Sequence, residues 1–131
     1  MTLVRKADTK DYILTYSNGR IETFDGTYGN IKQIKDIFGN HIDFEYTELD
    51  YFRGSFVDYM FKPSSYSATI NALTKITDSA GRIITIEYTM SSTAYGKEVN
   101  SIRVRMNGTT YATIELARVK SLLLLTICTI K

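Results

Sequence analysis

The chain has 131 residues, enough for one domain and one modest core, and a formal charge of +2 that offers no whole-chain field for nucleic acid or an anionic membrane. Its alphabet is that of a sheet: Ile and Thr recur, ten Tyr and six Phe are present, Trp is absent, and the single proline is Pro63. Charge is uneven, with 7 basic and 10 acidic side chains in residues 1–60 against 6 basic and 2 acidic in residues 97–131.

Taken in chain order, the N-terminus Met-Thr-Leu-Val-Arg-Lys lacks the apolar core of a secretory signal. Asn18-Gly19 follows between Leu14-Thr15-Tyr16 and Arg20-Ile21-Glu22, the short Asn-Gly hairpin signal. Residues 31–47 then lie over residues 73–89 at an offset of 76 − 34 = 42 residues. Ile34, Asp36 and Gly39 fall on Ile76, Asp78 and Gly81, while Ile42, Phe44 and Tyr46 fall on Ile84, Ile86 and Tyr88. Alternation with His41, Asp43 and Glu45 predicts one oily and one wet strand face. The second copy places Ile83 on the wet side with Thr85 and Glu87, so a neighbour is expected to cover part of it. Asp at the first turn position and Gly at the fourth predict turns at Asp36–Gly39 and Asp78–Gly81: Asp binds backbone N–H groups ahead of it and Gly takes positive φ.

Between the copies, residues 48–71 read as an aromatic-rich insertion with Pro63 and Ser64-Ser65 as breakers. Its rings, among them Tyr51, Phe52, Tyr59 and Tyr66, either cover a sheet face or make an extra edge hairpin, or they form a platform for glycan or protein. Asn107-Gly108 marks a further hairpin, between Ile102–Met106 and Tyr111–Leu116. The domain map is therefore a single unit over 1–131: first repeats in 12–47, the insertion, later repeats in 72–117, and a non-repeat apolar tail in 118–131. The apolar run from Leu122 is about half the roughly 20 residues that span a bilayer, and reads as a terminal strand.

Strand, Asp-x-x-Gly turn, strand and closing Tyr resemble the repeats of RHS or YD-repeat proteins over roughly residues 12–117. The resemblance is carried by Ile31–Tyr46 and Leu73–Tyr88, with Phe24-Asp25-Gly26 as an earlier repeat junction. It implies an all-β antiparallel hairpin array, a sheet ribbon that in this family spirals into a hollow shell, often around a toxin. It further implies a non-catalytic structural role in a secreted or cell-wall associated protein, with other YD repeats or a toxin cargo as partners. Tyr46-Thr47 and Tyr88-Thr89 depart from the eponymous Tyr-Asp pair, so the repeats are degenerate. Ile37 and Ser79 follow the turn aspartates where the family's self-cleaving region has Asp-Pro, so autoproteolysis is not carried over.

Chemistry-bearing patterns are sparse. His41 is the single imidazole and reads as a solvated turn residue, and Cys128 stands alone without a disulfide partner. Neither metal-ligand spacing nor a phosphate-binding Gly loop is present, so no cofactor is expected. Arg103 and Arg105 share a strand face near Arg118 and Lys120, a basic stripe best read as edge protection. Asn107-Gly108-Thr109 fits the N-glycosylation pattern, but the same residues make the turn. A repeat array with open edges is expected to self-associate.

Overall fold

The computed structural model describes residues 1–52, 67–93, 96–119 and 122–130. Ten strands among them form one sheet in strict chain order, each antiparallel to the next, with no helix. They are β1 (Thr2–Arg5), β2 (Tyr12–Thr15), β3 (Ile21–Phe24), β4 (Ile31–Lys35), β5 (His41–Phe52), β6 (Ser67–Asp78), β7 (Ile83–Thr93), β8 (Gly96–Met106), β9 (Thr109–Val119) and β10 (Leu122–Ile130). The all-β hairpin array expected from the period-two pattern is the fold observed.

The ladder fixes how far the strands run beyond the repeats. Residues 48–52 and 67–71, expected in an inserted connection, are strand, since pairing runs from Ile42↔Asp78 up to Phe52↔Ser67. Each extra pair satisfies backbone groups that a loop would leave to water. The apolar run from Leu122, expected as a terminal strand, is one: Leu122–Ile130 pairs with β9 from Leu122↔Val119 to Ile130↔Ala112.

Tight turns gather at one end of the sheet. Three share a geometry in which Gly19, Gly39 and Gly81 take φ of 82°, 92° and 82° and donate to the carbonyls of Tyr16, Asp36 and Asp78. Each loop is then closed by the N–H of the first residue on the carbonyl of the fifth: Tyr16 on Arg20, Asp36 on Asn40, Asp78 on Arg82. This is a three-residue hairpin with a glycine bulge. Asn18-Gly19, expected as a two-residue turn, therefore belongs to the longer type, because Gly19 alone has positive φ there. At Asn107-Gly108 both residues do, with φ of 48° and 83°, and the turn is the two-residue one.

The other end has longer loops closed by Lys6 on Asp11 and Asp25 on Asn30, with Lys10 and Gly29 in the left-handed region. Gly26, expected at a repeat junction, is required for a different reason: a Cβ there would stand 2.1 Å from the Lys10 carbonyl oxygen.

Register also extends the 42-residue repeat into the backbone. The β3–β4 ladder skips Lys32 and the β5–β6 ladder skips Thr74, so a bulge falls at equivalent places in both copies.

Cross-strand pairs sort the side chains. Leu14, Glu22, Ile34 and Ile42 lie in one row, with Phe44, Ile76, Ile84 and Met106 in the next. Thr23, Gln33, Asp43, Thr77 and Ile83 lie on the reverse face. The oily face curls inward over β5–β8. Cα atoms of β5 and β8 come within 8 Å, although three flat strand spacings are about 14 Å. An apolar hollow of about 210 Å³ lies in the curl, lined by Ile42, Ile76, Ile84 and Met106 with Asp78 and Arg82 at its rim. No second layer covers it among the described residues, and the one apolar side chain among them counted as buried is Ala72, at 9%.

Candidate functional site

The feature with most local organisation is the row of stacked turns. Asp36 Oδ1 accepts from the N–H groups of Phe38 at 2.8 Å and Asn40 at 2.9 Å, while Oδ2 accepts from Asn40 Nδ2 at 2.8 Å. Asp78 repeats this, taking Ala80 N–H at 3.0 Å and Arg82 N–H at 2.9 Å on Oδ1, and Arg82 Nε at 2.5 Å on Oδ2. Asn40 and Arg82 thus play one role with different chemistry.

Adjacent turns are tied to one another. His41 O accepts from Ser79 N–H at 2.9 Å, and Ser79 Oγ accepts from His41 N–H at 3.3 Å. Ile83 O accepts from Asn107 N–H at 2.8 Å, while Asn107 Oδ1 accepts from Ile83 N–H at 2.9 Å. Side-chain oxygens of Ser79 and Asn107 therefore extend the ladder past the last strand pair. Their identity gives no period-two or glycine signal, so the sequence pattern does not reveal that role.

An open groove of about 340 Å³ runs between the two aspartate turns, lined by Asp36, Asn40, His41, Asp78, Ser79 and Arg82 among others. Its carboxylates are committed to the turns. Donation from Asn40 holds Asp36 below the usual carboxylate range, and donation from the Arg82 backbone does the same for Asp78. Both are ionised and hydrogen-bonded at neutral pH, which suits turn closure and not proton donation. His41 stands on the wet face, Nδ1 3.2 Å from the Gly39 carbonyl oxygen and Nε2 3.4 Å from Asp43 Oδ2.

Within the basic stripe, Arg103 and Arg105 share the one carboxylate of Glu87. Glu87 faces Arg105 Nε at 3.0 Å, out of hydrogen-bond alignment, and Arg103 at 3.7 Å. Lys75 pairs across the strand with Glu45 at 2.8 Å. At partly exposed positions such pairs contribute at most about 1 kcal/mol each. Two acidic side chains are buried near the N-terminal strands: Glu22, held by the Tyr16 hydroxyl at 2.9 Å and by Arg20, and Asp11, reached by Lys32 at 3.0 Å. Asp11 is held low chiefly by that lysine.

Of the aromatic platform, Tyr59 and Tyr66 lie outside the described residues; Tyr51 and Phe52 are placed only as backbone at the end of β5. Among the described residues no three metal-ligating side chains converge, and no helix is long and apolar enough to cross a membrane. No family model, curated protein or solved structure matches the chain.

Proposed function

We propose that this chain is a non-catalytic structural segment of an RHS/YD-repeat shell, part of a secreted toxin or wall-associated protein. The observation that carries the reading is the 42-residue repeat kept at the level of single hydrogen bonds: Asp36 and Asp78 close their turns through equivalent donors, and Lys32 and Thr74 occupy equivalent bulges. A ribbon laid down in chain order, apolar and concave on one side and polar on the other, suits a wall element, because its edge strands β1 and β10 carry backbone N–H and C=O groups that a further hairpin can pair. The turn carboxylates serve closure, which favours a building role over proton-transfer chemistry. An antibody against the chain, applied to fractionated native cells, tests this. The expected antigen is a longer polypeptide bearing more such repeats, in the wall or culture fluid. A 14.9 kDa antigen confined to the cytosol overturns the reading.

A further inference from the structure

Two ladders of the sheet are long, and the one between them is short. β5 pairs with β6 over 11 positions and β7 with β8 over 10. β6 and β7, 12 and 11 residues long, share only three: Lys75↔Thr85, Ile76↔Ile84 and Thr77↔Ile83. The bulge at Thr74 accounts for the stop, because a bulge bends and twists its strand. Past it, β6 extends back to Ser67 and β7 on to Thr93 without pairing with each other. Asp78 N–H bonds to the Arg82 carbonyl across the turn, and Ile83 bonds toward Asn107 at the end of β8. Alternation therefore leaves Ile76 and Ile84 as the pair whose backbone groups face each other across this seam.

Most other ties stay within one hairpin. Lys75 pairs with Glu45 of β5, Thr74 Oγ1 donates to the Glu45 carbonyl at 3.2 Å, and Arg103 and Arg105 of β8 meet Glu87 of β7. β5 and β8 come within 8 Å, yet no ladder joins them. Among the described residues, one bond crosses from β7 to β6 beyond the three pairs: the Tyr88 hydroxyl donates to the Leu73 carbonyl at 2.8 Å. Thr77 Oγ1 is buried at the seam with no hydrogen-bond partner among the described residues, which weakens the junction further. We infer that the β6–β7 ladder is a hinge between two stiffer hairpins, β5–β6 and β7–β8, and that Tyr88 is the latch that holds it closed. Local opening is easiest where the fewest bonds must break. Ile76 and Ile84 floor the apolar hollow, with Ile42 of β5 and Met106 of β8 on either side, so parting the hairpins widens it. The inference rests on ladder lengths and holds whether or not the chain belongs to a shell.

Hydrogen exchange of the full chain, followed residue by residue by NMR and corrected for intrinsic rates, tests this. Neighbouring amides supply the control, because alternation turns Lys75 and Thr85 toward the long ladders with β5 and β8. Ile76 and Ile84 should exchange about tenfold faster than these neighbours. Tyr88→Phe should speed Ile76 and Ile84 by a further factor of about two to ten and leave Lys75 and Thr85 unchanged. Lys75→Cys with Thr85→Cys, in a Cys128→Ser chain, places a disulfide across the open end of the seam. Once oxidised, that chain should exchange Ile76 and Ile84 about tenfold more slowly than its reduced form. If a variant loses its strand signal in circular dichroism, the wild-type comparison decides. Equal protection of Ile76 and Ile84 and their neighbours in wild type overturns the hinge, as does a disulfide that leaves their rates unchanged. Rates indifferent to Tyr88→Phe overturn the latch.

Discussion

Gly19 and Gly81 occupy the same turn position with the same φ, yet alanine should be tolerated differently at the two. At Gly81 a Cβ meets nothing within 4 Å, so Gly81→Ala costs only the strain of an L-residue in the left-handed region, about 1 kcal/mol. At Gly19 the same Cβ would stand 2.3 Å from Ile37 Cγ2, in the next turn of the row. Ile37 is 63% exposed and can swing away, at a further cost of about 1 kcal/mol in rotamer strain and lost contact. Gly19→Ala should therefore cost about 2 kcal/mol, with Ile37→Ala in the same chain recovering about half. Urea unfolding by linear extrapolation, at one fixed protein concentration, measures all three. If Gly19→Ala costs no more than Gly81→Ala, or if Ile37→Ala recovers nothing, the turns do not stack as described.

Valine at Gly39 or Gly81 should cost more than alanine in the same assay, because β-branched residues resist positive φ. Gly26→Ala pushes a Cβ against the Lys10 carbonyl, which is backbone and cannot rotate away, so a loss of about 1–3 kcal/mol is expected. Tyr88→Phe removes the 2.8 Å bond from its hydroxyl to the Leu73 carbonyl, and a fall of about 0.5–1.5 kcal/mol in unfolding free energy would match. Asp11, Asp36 and Asp78 have folded pKa values below the ordinary 3.8. Their contribution is thus complete above the unfolded value and lost as pH falls through the folded ones. The urea midpoint should hold from pH 7 to about 5 and drop below about 4. Asp36→Asn with Asp78→Asn should flatten that drop, and an unchanged acid profile would remove these carboxylates from the account.

The tight turns were legible because their chemistry is local. Asp36 and Gly39, or Asp78 and Gly81, need only each other and the intervening backbone, and a period of two assigns Ile42, Phe44 and Tyr46 to one face without reference to other strands. The same local logic misread Asn18-Gly19: a dipeptide does not specify loop length, and Tyr16 pairing with Arg20 sets the longer form. Residues 48–52 and 67–71 looked like connection because aromatic and breaker content dominates that stretch, whereas strand length is decided by how far two ladders stay in register.

By itself, then, the sequence determined the class of structure, the two faces and the repeat, since each follows from alternation and turn chemistry within about 20 residues of chain. Only the tertiary structure decided that the oily face is the concave one and that Ser79 and Asn107 bind neighbouring turns. It also decided that the groove between Asp36 and Asp78 is walled by carboxylates whose oxygens are in use. These are properties of twist and of contacts 24 to 38 residues apart, which depend on how strands accumulate across a sheet and leave no periodic trace in the chain.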